Sequence, residues 1–154
     1  MTKSFIFDVD GTLTPNRGTI DAEFYFWLCN FADKHNVYLV TGSDKIKTIE
    51  QIGKGLYNKC RVVYQCAGND VWIKDDNIKS GIIFSIPDIA EEYLDRQLNY
   101  SDWVPNTGLH FDYRPGLLNF SIVGRNATLE QRKMYSEYDK QVKERSHIAQ
   151  GFNE

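Results

Sequence analysis

The sequence predicts an α/β fold built on a parallel sheet. Two observations carry that expectation. Short apolar runs alternate with segments of helical periodicity over the first third of the chain, and the runs are continuously apolar rather than alternating, as in strands buried on both faces. "SFIFDVD" reads as the first buried strand. "TIDAEFYFWLCNFADKHN" follows with Phe24, Trp27, Leu28 and Phe31 at helical spacing, an acidic start and Asn36 as its stop. "VYLVTGS" is a second strand, "DKIKTIEQIGKGLYNK" a second helix opened by Asp44, and "CRVVYQCAG" a third strand. Such a sheet is expected to be covered by helices on both faces.

The remainder has a different texture. "DVWIKDDNIKSGIIFSI" reads as a hairpin with its turn at Asp75 to Asn77. "PDIAEEYLDRQLNY" is a helix with proline at its start. "LHFDYRPGLLNFSIVGR" is expected to form two strands joined at Pro115-Gly116. The tail from Thr128 reads as one long amphipathic helix, with Thr128 and Gln131 as a capping box. Residues from about Ser85 to Asn126 therefore form a small α+β lobe.

Bulk properties narrow the function. The chain has 154 residues and a formal charge of −3, so neither nucleic acid nor an anionic membrane is an expected partner. No apolar run reaches the roughly 20 residues of a membrane helix, and the start of the chain lacks a signal-peptide pattern. Cys29, Cys60 and Cys66 make an odd set without a C-x-x-C pair, which points to reduced, buried thiols and a cytoplasmic protein.

The chemistry concentrates in "DVDGTLT". Binding residues of open parallel sheets lie beyond the carboxyl ends of the strands, where Asp8, Asp10, Thr41 to Asp44 and Ala67 to Asp70 all fall. Alternate residues of an extended chain share a face, so Asp8 and Asp10 can converge. A divalent cation relieves their repulsion, and Mg2+ is the hard cation that prefers oxygen ligands. Gly11 permits a sharp turn, and the backbone N–H groups around it are expected to point inward, completing a phosphoryl site. A carboxylate in line with a phosphoryl group can attack it. Asp8 is assigned as nucleophile, Asp10 as general acid and base, and both as metal ligands. Ser43 would hydrogen-bond a phosphoryl oxygen, with Gly42 allowing close approach. A calcium loop is the other use of D-x-D-G, but the third oxygen ligand and the closing glutamate are missing.

These residues also carry a resemblance. "DVDGTLT" resembles motif I of the haloacid dehalogenase-like (HAD) phosphohydrolases and phosphomutases, and "VTGSD" resembles their motif II. "DYRPGLLNFSIVGRNATLEQR" and the following "YSEYDK" are similar to the cap segment of eukaryotic-type phosphomannomutases. The resemblance implies a Rossmann-like parallel-sheet HAD core, incomplete here, with a small α+β cap. It divides the chain into a core at 1–84, cap strands and helix at 85–127, and a long cap helix and end at 128–154. It implies that Arg17, Arg114, Arg125 and Arg132 grip a phosphorylated sugar, as the bidentate, permanently charged guanidinium suits. Mg2+, mannose 1-phosphate or mannose 6-phosphate, and a hexose bisphosphate activator come with it, as does a place in GDP-mannose biosynthesis. The family's later lysine and acidic magnesium-binding cluster fall outside this sequence, which leaves a homodimer or a complementing chain open. "CAGND" departs from the family's Asn-Gly at Ala67. Two other functions stand beside the mutase: a sugar-phosphate phosphatase, and a silent remnant that binds sugar phosphates or a partner.

Overall fold

The computed structural model describes residues 2–153 and divides into two compact units: the chain up to Ile83 together with Arg114–Gly116, and Phe84–Tyr113 together with Leu117 onward. The class is α/β, with a mixed sheet.

The first unit holds a five-stranded sheet in the order β1 (Ser4–Phe7), β2 (Asn36–Val40), β3 (Val62–Gln65), β4 (Asp70–Ile73), β5 (Asp76–Ser80). The first three strands are parallel and the last two antiparallel. Helix α1 (Ala22–Lys34) begins at Asp21, whose carboxylate accepts from the Phe24 N–H at 3.0 Å. That cap satisfies an amide the helix itself cannot. Leu28 of α1 is fully buried, while Trp27 stays 54% exposed and stacks between Phe24 and Phe31. The expected second helix is two, α2 (Lys45–Ile52) and α3 (Lys54–Lys59). Gly53 breaks it with φ +77°, in the left-handed region that glycine tolerates.

All three helices pack on one core made from Val9, Leu28, Val37, Leu39, Ile52, Leu56, Tyr57 and Val63. Each such side chain contributes about 1.5–3 kcal/mol when fully buried. The opposite face of the parallel strands is open: Ile6 is 70% exposed, Val40 41% and Tyr64 36%. This corrects the expectation of a sheet covered on both faces. Both crossovers step in the same direction, β1 to β2 to β3, and crossovers of one hand deliver every helix to the same side.

The hairpin β4–β5 is tethered by Lys45, whose ammonium lies 3.6 Å from the centre of the Trp72 ring. Asp70, at the start of β4, accepts from Trp72 Nε1 at 2.7 Å and Asn77 Nδ2 at 2.6 Å.

The second unit combines α4 (Asp88–Tyr100), the β6 (Phe111–Arg114) and β7 (Leu117–Phe120) hairpin, α5 (Leu129–Val142) and α6 (Glu144–Asn153). Its core is Leu94, Trp103, Ile122, Val123, Tyr135 and Ile148. The Thr128–Gln131 capping box forms as expected. The long helix does not continue as one: Lys143 adopts φ +55° and separates α5 from α6. Asp139 fixes that corner by accepting from the Arg145 backbone N–H at 2.8 Å and from its Nε at 2.7 Å.

Candidate active site

The site is built on the loop that leaves β1. Val9 is fully buried, and its carbonyl gathers the N–H groups of Thr12 at 3.2 Å, Leu13 at 3.0 Å and Thr14 at 3.1 Å, with Thr14 Oγ1 at 3.3 Å. Gly11 donates its N–H to the Thr14 carbonyl at 2.8 Å. The amides of Gly11 to Thr14 thus close on the loop itself rather than pointing inward to a phosphate. Burial of Val9 and Leu13 draws the chain inward, and a buried carbonyl must find donors. Gly11 is needed for this turn: its φ is +78°, and a Cβ would sit 3.0 Å from Asn16 Oδ1.

The two aspartates part company. Asp8 is exposed, and its carboxylate makes no hydrogen bond among the described residues. Asp10 is half-buried and held. Its Oδ1 accepts from the Arg17 backbone N–H at 2.6 Å and from Gln51 Nε2 at 2.8 Å, while Ser43 Oγ lies 3.5 Å from Oδ2. One aspartate is therefore free to engage a ligand and the other has a fixed orientation.

Arg17 enters this cluster through its backbone, in a left-handed conformation with φ +59°. Ser43 is steadied by its own N–H, which donates to Thr41 Oγ1 at 3.1 Å. A Cβ built on Gly42 would meet no protein atom within 4 Å. Nothing in the fold demands glycine there, and the space beside it is free for a ligand atom. Arg114 reaches the same loop, donating from Nη1 to the Gly42 carbonyl at 2.7 Å and lying 3.9 Å from Asp44 Oδ2.

Asp10, Arg17, Gly42, Ser43 and Arg114 are thus drawn together in the first unit. Arg125 and Arg132 belong to the second. Arg125 pairs with Asp112. Arg132 spends its guanidinium on backbone carbonyls, those of Ala127 at 3.2 Å, Gly124 at 2.9 Å and Arg125 at 2.7 Å. It clamps the loop that carries Arg125.

Sequence reasoning missed Gln51. It is 1% exposed on α2, and its amide reaches both Asp10 and Thr14 Oγ1, the latter at 3.3 Å. Its only signal was a polar residue between Ile49 and Ile52, on a helix face that also buries Thr48. Among the described residues no group of three or more His, Cys, Asp or Glu side chains forms a metal cage. Mg2+ nonetheless binds through one or two carboxylates, with water and phosphate oxygens completing its shell. The uncommitted Asp8 carboxylate fits that donor set better than Asp10, whose Oδ1 is already occupied.

Comparison with known proteins identifies the family. The family model described as eukaryotic phosphomannomutase matches residues 25–154. Phosphomannomutase 1 of Homo sapiens is 33% identical over 158 aligned residues, covering 94% of this chain and 58% of that protein. The phosphomannomutase of Saccharomyces cerevisiae is 30% identical over 143 residues, covering 88% of this chain and 56% of that one. The chain thus spans rather more than half the length of the curated relatives it matches. Among solved structures, a haloacid dehalogenase-like hydrolase from Bacteroides thetaiotaomicron shares the fold with a TM-score of 0.50 at 16% identity, over 63% of this chain and 38% of that one.

Proposed function

The chain belongs to the eukaryotic phosphomannomutase family, and from that we propose that it carries out magnesium-dependent phosphoryl transfer on a hexose phosphate, interconverting mannose 6-phosphate and mannose 1-phosphate. One observation carries the reading: two aspartates at the end of a parallel strand, of which Asp8 is exposed and uncommitted while Asp10 is held by three donors. An attacking carboxylate must be free to approach phosphorus, and a general acid must be oriented toward the leaving oxygen.

In this reading an Asp8 oxygen attacks the phosphorus of a hexose bisphosphate. The bond from phosphorus to the sugar oxygen breaks, and Asp10 gives that oxygen a proton. A hexose monophosphate then takes that phosphoryl group on its free hydroxyl, whose proton returns to Asp10, and the bisphosphate so formed turns end for end to present its other phosphate to Asp8. Ser43 donates to a phosphoryl oxygen in the open space beside Gly42. Arg17, Arg114, Arg125 and Arg132 are the family positions for gripping the sugar phosphate. Arg132 supports that role through its hold on the Arg125 loop. Mg2+, held by Asp8 with Asp10 beside it, would supply neutralising charge for the transferring group.

The test is conversion of mannose 1-phosphate in the presence of Mg2+ and a hexose bisphosphate. Mutase action requires the bisphosphate and is lost in Asp8→Ala. Equal rates in parent and Asp8→Ala overturn the reading, and phosphate release without bisphosphate replaces it with phosphatase action.

A further inference from the structure

The amide of Gln51 has only one orientation that satisfies its neighbours. Thr14 Oγ1 lies 3.3 Å from the Val9 carbonyl, which can only accept, so the hydroxyl proton is committed there. The Thr14 oxygen is left as an acceptor, and Asp10 Oδ1 is an acceptor too. Both face the same end of Gln51, at 3.3 Å and 2.8 Å, so that end is the NH2 group and its two hydrogens are both used. Among the described residues Gln51 Oε1 is buried without a partner, a cost of about 1–3 kcal/mol that the fold bears to keep the amide in this orientation. The Gln51 backbone carbonyl also accepts from the Ile20 N–H at 2.8 Å, fixing the residue from its other end.

We propose that Gln51 is a positioning residue: its amide and the Arg17 N–H together occupy Oδ1 of Asp10, so that Oδ2 is the oxygen presented to substrate. A carboxylate oxygen with two N–H donors at 2.6 and 2.8 Å has both in-plane lone pairs engaged. Rotation of the carboxyl group would sacrifice both bonds. Among the described residues Oδ2 faces only the Ser43 hydroxyl at 3.5 Å, which can rotate away or turn to accept. The proton that Asp10 gives and takes therefore travels by way of Oδ2, and its aim is set from α2. This inference rests on the role proposed above for Asp10.

Two measurements on the full chain test it. Gln51→Met keeps the length of the side chain without its donors, and Gln51→Glu keeps its shape but replaces the donors with an acceptor. Both are expected to lower kcat roughly 10- to 100-fold with KM within about twofold of the parent, as misaimed catalytic groups do. An unchanged kcat in Gln51→Met, or a loss confined to KM, overturns the proposal. The second measurement needs no turnover. In a double-mutant cycle read by melting temperature without substrate, Asp10→Ala is expected to cost clearly fewer degrees in the Gln51→Met background than in the parent. Additive shifts overturn the proposal. Should the parent show no phosphoryl transfer at all, the mutase reading fails while the cycle still decides whether Gln51 holds Asp10.

Discussion

Arg114 donates from Nη1 to the carbonyl of Gly42 at 2.7 Å, joining a hairpin residue to a loop 72 positions earlier in the chain. The same guanidinium stands 3.9 Å from Asp44, the N-cap of α2, so it brackets Ser43 from both sides. The geometry gives Arg114 a structural task, which is to brace the loop that carries Ser43.

The Arg114 side chain is only 10% exposed, although its hydrogen bond ends on the exposed Gly42. Arg114→Met is expected to lower stability by about 1–2 kcal/mol through loss of a charge-assisted donor. The Asp44 pair, at the edge of contact distance, adds little. Urea unfolding followed by tryptophan fluorescence checks this. An unchanged midpoint would show that the Gly42 bond contributes nothing.

Ala67 occupies the left-handed region at φ 55°, ψ 34°, with its methyl group exposed. A residue with a Cβ bears about 1–2 kcal/mol of strain there. Ala67→Gly relieves that strain and loosens the unfolded chain by about 0.4–1 kcal/mol. The net expectation is a gain of roughly 0.5–1 kcal/mol, or a melting temperature higher by about 2–3 °C. Calorimetry decides, and a lower melting temperature would mean that the methyl packs usefully.

Asp139 ties the stability of the second unit to pH. Burial works to raise its pKa, but the hydrogen bonds and charge of Arg145 outweigh it and hold the carboxyl below its ordinary value. A carboxyl depressed on folding contributes stability that is fully present above its unfolded pKa, near pH ~4, and is lost as pH falls through the lower folded value. Asp139→Asn is therefore expected to cost about 1–2 kcal/mol at pH 7, since Arg145 itself is largely exposed and partly screened. The gap should narrow below pH ~4. Denaturant titrations at pH 7, 4 and 2.5 check the trend, and a gap independent of pH contradicts it.

Much of this architecture was legible in the residues, and the failures share a cause. Asp44 and the Thr128–Gln131 box announce helix starts because caps are local chemistry. The continuous apolar runs of β1 to β3 gave the strands correctly. They could not say how many faces would be covered, because crossover direction is a property of the whole sheet. The break at Lys143 left no trace because lysine rarely takes φ +55°. What holds it is Asp139, whose side chain bonds Arg145 across the corner. In the candidate site, Asp8, Asp10 and Ser43 were readable from motif spacing. Gln51 was not, since its meaning depends on Asp10 lying opposite it, 41 residues away in sequence.

Strand β1 has a neighbour on one side only among the described residues, and it ends where the two aspartates begin. A strand's unpaired edge is a template for another strand. Any polypeptide that docked there in parallel would lie about 4.8 Å away and would end level with Asp8. Whatever residue it carried at its tip would stand beside the end of β1, where Asp8 and Asp10 lie. A dilution series that follows the association state therefore reads whether that edge is taken up.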